Sequence, residues 1–180
     1  MALISAADGH AALAEPSAWV QRWASLVPAG GAVLDVASGG GRHACYFAAR
    51  GHPVDAVDRE PSAIAVLASI PRITALCADI ESGPWPYAGR RFAAVIVTNY
   101  LHRPLIPALM AALAPGGVLI YETFALGNEV YGRPANPDFL LQRGELLRVV
   151  GDARIVAYED LHVGQPKPAV VQRICAVAPD

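Results

Sequence analysis

Three aspartates stand at the ends of apolar runs. Asp35 lies near the end of 32–36, Asp58 follows 53–57, and Asp79 follows 73–77. Carboxylates at one register on successive strands can accept hydrogen bonds from several groups of one extended ligand. Asp58 suits a pair of ribose hydroxyls, being about 20 residues beyond a glycine turn. It also suits an N-cap for the segment after it. Asp79 suits an exocyclic amine, with Ile80 covering the ring, or the capping of its own turn. A second group follows the fourth apolar run: Thr98-Asn99-Tyr100-Leu101-His102-Arg103. There His102 has the imidazole of a general base, and Tyr100 would line a transfer site. Arg103, with the more distant Arg133, could grip an oxyanion through paired guanidinium N–H groups. The same side chains suit scaffolding, with His102 beside a helix start and either arginine paired to Glu122 or Glu129.

The elements that must position these groups alternate between strand and helix. The 32–36 strand runs into Ser38-Gly39-Gly40-Gly41 and then an Ala-rich helix to about Arg50. Glycines there permit positive φ and let a ligand approach the backbone. The helix start offers free N–H groups. Strands follow at 53–57, 73–77, 92–97 and 118–122. Helices are expected at 61–68 and 104–113, and Pro115-Gly116-Gly117 turns sharply into the fifth strand. Residues 123–138 form a long loop, and such loops are often functional. A helix over 144–150 and two strands, 154–158 and 170–177, complete the chain. Their short join fits an antiparallel hairpin. Near the start, 16–27 reads as a helix between Pro16 and Pro28. Trp19 and Trp23 share one face of it, for packing or as a lid. Residues 1–15 have little pattern, and are either loose or ordered over a ligand.

A glycine turn of this kind serves two ligand classes. A dinucleotide places its pyrophosphate on the helix start. S-adenosylmethionine instead presents a cationic methionine part to an acid at the first strand's end. Gly39-x-Gly41-x-x-Ala44 fits both. Asp35 favours the cation, because a carboxylate at a pyrophosphate site would repel its ligand. The terminal hairpin also argues against a nicotinamide oxidoreductase.

Composition narrows the function classes. The chain has 180 residues, enough for one domain with a sizeable core. Net charge is −2, and Lys167 is the only lysine, so no basic stripe suggests nucleic acid. Mean hydropathy is +0.34, yet the glycine-proline break at 115–117 interrupts the longest apolar candidate for a membrane span. Residues 1–14 lack the charged start and apolar run of a signal peptide. Cys45, Cys77 and Cys175 are scattered and odd in number. They suggest a reducing cytoplasm, no disulfide framework and no metal site.

Over nearly its whole length the chain resembles the class I S-adenosylmethionine-dependent methyltransferases. The likeness rests on Val33-Leu34-Asp35-Val36-Ala37-Ser38-Gly39-Gly40-Gly41, on Val54-Asp55-Ala56-Val57-Asp58, and on Ala78-Asp79-Ile80. It continues through Phe92-Ala93-Ala94-Val95-Ile96-Val97 and Leu113-Ala114-Pro115-Gly116-Gly117-Val118-Leu119. The family usually has glycine where this chain has Ala37. The chain is further similar to small bacterial methyltransferases of the tellurite-resistance type. That likeness lies in Tyr121-Glu122-Thr123-Phe124, Gly132-Arg133-Pro134 and Phe139-Leu140-Leu141-Gln142-Arg143-Gly144-Glu145-Leu146.

The resemblance implies an α/β, Rossmann-like doubly wound fold. Its seven-stranded sheet would be mostly parallel, with an antiparallel C-terminal strand. It implies S-adenosylmethionine as cofactor and S-adenosylhomocysteine as product. Cofactor contacts would come from Asp35, Ala37, Ser38, Gly39, Gly41, Asp58, Arg59, Asp79, Ile80, Thr98 and Asn99. Tyr100, His102 and Arg103 are the catalytic candidates. The expected partner is a small-molecule acceptor such as a thiol or chalcogen oxyanion, with no nucleic acid, no membrane, and an oligomeric state left open. The competing readings are a cofactor-binding module without methyl transfer and a nicotinamide oxidoreductase.

Overall fold

Strand β1 (Val33–Val36) is buried along its whole length. An apolar run of this kind forms where helices cover both faces of a parallel sheet. It pairs in parallel with β2 (Val54–Asp58) and β4 (Phe92–Thr98). Strand β3 (Ile73–Cys77) adds beside β2, and β5 (Leu113–Phe124) beside β4. Two antiparallel pairings complete the sheet: β7 (Ala169–Val177) against β5, then β6 (Arg154–Val163) against β7. The order is β3-β2-β1-β4-β5-β7-β6. Only β7 runs against the others, so the expected seven-stranded sheet with an antiparallel C-terminal strand is the one found. The structure is a computed structural model and describes residues 15–165 and 167–180. The N-terminal stretch expected to be loose or ligand-covering lies outside them, apart from Glu15.

Alternate strand residues feed two apolar layers. Leu34, Val36, Val95, Val97, Leu119 and Tyr121 pack with Leu109 of α4 (Ile106–Ala111) and Leu146 of α5 (Glu145–Val149). On the other face, Val33, Val54, Ala94, Ile96 and Ile120 meet Trp19 and Val20 of α1 (Ala18–Trp23) and Phe47 of α2 (Arg42–Ala49). Trp19 is buried and meets Trp23 edge-to-face at 5.7 Å. The indole N–H of Trp19 donates to the Ile174 carbonyl. The pair therefore packs α1 on the sheet, which is the packing role and not a lid.

Several boundaries differ from the sequence reading. The 16–27 helix is α1 followed by a 3₁₀ turn over Ala24–Leu26. The 104–113 helix is a 3₁₀ turn over Arg103–Leu105 followed by α4, and α3 spans only Pro61–Ala65. Strand β5 begins five residues before Val118, because residues 114–117 bulge out between the Phe92–Leu113 and Ala94–Val118 pairs. Gly117 is required in that bulge, since a Cβ there would come within 2.8 Å of the Ala114 carbonyl oxygen. Strand β6 extends five residues beyond Tyr158, because β7 offers a ladder as far as Ala169.

Candidate active site

The strand ends carry their polar groups to one edge of the sheet, where three cavities lie in a row. The first, about 130 Å³, is lined by Ala37, Asp58, Arg59, Ala78, Asp79, Ile80, Glu81 and Tyr100. The second, about 320 Å³, lies over the glycine turn between Ser38, Gly39, Gly40, His43, Thr98 and Asn99. The third, about 500 Å³, sits beyond β5, among Phe124, Tyr131, Arg133, Val171 and Arg173. Ala37 borders the first and second, and Arg42 and Asn99 border the second and third. They form one track running from the β2–β3 side to the β5–β7 side.

In the first cavity, Asp58 uses both oxygens within the protein. Oδ2 accepts from the Gly39 N–H at 2.7 Å, and Oδ1 from the Glu60 N–H at 2.9 Å. Each oxygen keeps one lone pair. Asp79 caps its own turn: Oδ1 accepts from Glu81 and Ser82 N–H groups, and Oδ2 from the Ser82 hydroxyl. These bonds, the Ser82 hydroxyl foremost, hold its pKa below the usual carboxylate range. The turn-capping role of Asp79 is thus realised, with one Oδ2 lone pair left towards the cavity. The Ser38 hydroxyl is buried with no hydrogen-bond partner among the described residues, and the buried Tyr100 hydroxyl has only the Glu81 carboxylate near it as a partner. A Cβ on Gly39 or Gly40 would meet nothing within 4 Å. Two buried hydroxyls and a bare stretch of backbone make room for a polar ligand along the track.

The turn itself is held from beneath. Helix α2 begins after Gly41, which has φ 75° and no side chain to cap it. Asp35 takes over that work, and its Oδ2 accepts from the Ala44 N–H at 2.9 Å. Its carboxyl is buried, which raises its pKa to about 8 against the lowering effect of the Ala44 bond. Asp35 therefore borders none of the three cavities, contrary to the expectation that it faces a cationic ligand. Gly41 also departs from its expected ligand contact. A Cβ there would overlap the Leu67 methyl groups, so this glycine allows close packing on Leu67. Ala37 adopts φ 51°, a conformation that favours glycine.

The three catalytic candidates lie in different places. Tyr100 lies in the Asp58–Asp79 cavity rather than at the centre of the track. The cause is Asn99, whose φ of 54° breaks the strand alternation at the end of β4. The turn is fixed from β5, where the Tyr121 hydroxyl donates to the Tyr100 carbonyl and the Glu122 carbonyl accepts from the Asn99 N–H. His102 borders none of the three cavities and leads into the 3₁₀ turn. Arg103 is a clamp: its guanidinium donates to both Glu145 oxygens and to the Asp138 and Leu140 carbonyls. Scaffolding is the role it has, with Glu145 as partner instead of Glu122 or Glu129. Thr98, Asn99, Ser38 and Gly39 do border the central cavity, and Arg59 and Ile80 the first.

The sequence reading missed a buried network behind the central cavity. The His43 Nε2 accepts from the Ser17 N–H at 3.1 Å, and its Nδ1 lies 3.4 Å from the Thr98 hydroxyl. Accepting at Nε2 fixes the ring proton on Nδ1, so Thr98 accepts from His43 and keeps its own proton to donate. Burial, with Arg42 nearby, lowers the His43 pKa to about 4, so the ring is neutral. The Ser17 hydroxyl donates to Glu122 Oε1 at 2.6 Å, and Glu122 Oε2 pairs with Arg173 at 2.5 Å. His43 directly follows Gly-Arg in the glycine motif, and that position was its only signal in the sequence. Ser17 and Glu122 are 105 residues apart, and nothing local links them. Among the described residues no group of three or more His, Cys, Asp or Glu side chains could hold a metal ion, and no helix is long and apolar enough to cross a membrane.

Residues 33–117 match a family described as a methyltransferase domain. No curated protein matches the chain by sequence. Among solved structures, TehB from Haemophilus influenzae superposes with a TM-score of 0.73 at 18% identity, over 89% of this chain and 61% of that one. The chain thus spans about three fifths of that protein. A TehB-like SAM-dependent methyltransferase from Corynebacterium glutamicum gives 0.64 at 16% identity, over 90% and 87%. The glycopeptide N-methyltransferase MtfA, complexed with S-adenosylhomocysteine, gives 0.64 at 20% identity, over 93% and 91%. The family match covers just under half of the chain, and over nearly its whole length the chain has the fold of these solved methyltransferases.

Proposed function

We propose that the protein transfers a methyl group from S-adenosylmethionine to a small-molecule acceptor, leaving S-adenosylhomocysteine. The observation that carries this reading is the track of three joined cavities, with Asp58 at one end and the widest cavity at the other. A ligand with a sugar, a ring and a charged tail fits the first two. The third is left for an acceptor. The solved MtfA structure holds S-adenosylhomocysteine in the same fold.

The residues present suit that cofactor. Asp58 keeps a lone pair on each oxygen for ribose hydroxyls. Ile80 and Tyr100 flank a flat ring, with the Tyr100 hydroxyl and one Asp79 lone pair to meet its polar edge. Ser38 and Thr98 offer hydroxyl donors beside the bare Gly39–Gly40 backbone. When bound, the cofactor supplies an electrophilic methyl group on a sulfonium. The protein's share is then orientation and the exclusion of water.

Among the described residues near the junction at Asn99, the histidines and Glu122 are already committed. Both His43 nitrogens are engaged, Glu122 is tied to Ser17 and Arg173, and His102 stands outside the cavities. An acceptor that needs no proton removed before attack, such as an anion, a thiolate or a free amine, suits this arrangement. A small size suits the described strands and helices, which run on without an inserted domain. The nicotinamide reading receives no support from the matched family.

The test is an assay of the full chain with methyl-labelled S-adenosylmethionine and a panel of thiols, amines and organic acids. Label transfer to a small molecule is expected. Transfer to RNA or protein with none to small molecules contradicts the reading. Tight cofactor binding without turnover on the whole panel would leave a binding module.

A further inference from the structure

The third cavity has a chemistry of its own. Its walls include four of the chain's cations, Arg42, Arg133, Lys167 and Arg173, against two acids, Glu15 and Glu122. This stands in a protein of net charge −2, and Lys167 is its only lysine. Arg173 is matched by Glu122 and Glu159, and Arg42 donates to the Glu15 carbonyl. Arg133 and Lys167 form no ion pair among the described residues. Both line this cavity, and Lys167 stands over the turn that leads into Arg133: its ammonium is 3.8 Å from where a Cβ on Gly132 would sit. Two cations that line one cavity and pair with no carboxylate among the described residues raise the local potential and favour an anion.

The rest of the lining mixes polar side chains, Ser17, Asn99, Asn128 and Gln165, with an apolar wall. Phe124, Val163 and Val171 form walls of a space of about 500 Å³. That is within the size range of drug-sized ligand pockets, which are mostly apolar with a few placed polar groups. A bare oxyanion would leave most of this surface uncovered. We infer that the acceptor is a small organic acid: its carboxylate is held by Arg133 and Lys167, and its apolar body lies against Phe124, Val163 and Val171. The remaining end of the molecule then reaches Asn99, where the third cavity opens into the second. This assignment rests on the methyltransferase reading for its meaning, but the binding itself can be measured alone.

The experiment is calorimetry on the full chain with aromatic and branched aliphatic carboxylates, their neutral amides and selenite, each with and without S-adenosylhomocysteine. Arg133→Gln/Lys167→Gln is the companion variant. At least one acid should bind more tightly than its amide. The double variant should weaken it at least roughly tenfold, the scale of losing charge-assisted hydrogen bonds, while S-adenosylhomocysteine affinity stays within about twofold. The inference is overturned if no acid binds, if acid and amide bind alike, if the double variant binds acids unchanged, or if selenite alone engages the site. Failure of S-adenosylhomocysteine to bind overturns the methyltransferase reading instead, and the acid titrations without it still decide the cavity's chemistry.

Discussion

The Asp58 carboxylate accepts a hydrogen bond from the Gly39 N–H at 2.7 Å. This bond joins the end of β2 to the glycine turn after β1, two segments adjacent in the sheet but 19 residues apart. The same carboxylate thus shapes the turn and faces the first cavity. A bound ribose would meet an acceptor already fixed in place, so little ordering is left to the moment of binding.

Ala37 separates the first two cavities with a left-handed φ of 51°. Ala37→Gly relieves a strain of about 1–2 kcal/mol. It also restores chain entropy to the unfolded state, at a cost of about 0.4–1 kcal/mol. The difference, about 0–1.6 kcal/mol in favour of glycine, should raise the melting temperature by up to about 6 °C. A lower melting temperature would show that the alanine methyl makes packing contacts that outweigh the backbone strain.

Asp35 gives a pH signature. Its folded pKa is raised to about 8 by burial, so the folded protein holds a proton that the unfolded chain releases at about pH 4. Its stabilising contribution is full below about pH 4 and is lost as pH rises towards about 8. Over the lower part of this window His43, lowered to about 4, acts in the opposite direction. Asp35→Asn cannot ionise. Denaturant titrations should show the stability of Asp35→Asn relative to wild type rising between pH 6.5 and 8. A pH-independent difference would contradict the buried neutral carboxyl.

Arg103 separates scaffold from catalysis. Arg103→Ala removes four donated hydrogen bonds and leaves Glu145, whose side chain is 12% exposed, without its cation. Hydrogen bonds involving charged groups contribute about 1.5–3 kcal/mol, so the melting temperature should fall by several degrees, at roughly 2–4 °C per kcal/mol. S-adenosylhomocysteine affinity should hold. A variant of normal stability whose kcat alone collapses would return Arg103 to the reaction.

The sheet was legible in the sequence because parallel strands buried on both faces leave long apolar runs, each with its polar end on the same edge. That rule alone brings Asp58, Asp79, Ile80 and Thr98 to the cavities. It could not place Asp35, whose carboxylate turns inward to cap α2 and so looks in the sequence like any acid at a strand end. Nor could it place Tyr100, because the left-handed Asn99 redirects the chain after β4. The Ser17–His43–Thr98 and Ser17–Glu122–Arg173 contacts join distant segments with no local pattern. The partner of Arg103 was likewise a tertiary fact, as Glu145 also reads as an acid at a helix start.

The most direct measurement is calorimetry with S-adenosylmethionine and S-adenosylhomocysteine on wild type and Asp58→Ala. The account predicts micromolar-range binding by wild type. It predicts a loss of at least roughly tenfold in the variant, about 1.4 kcal/mol or more. No heat and no thermal shift with either ligand in the wild-type protein would contradict it.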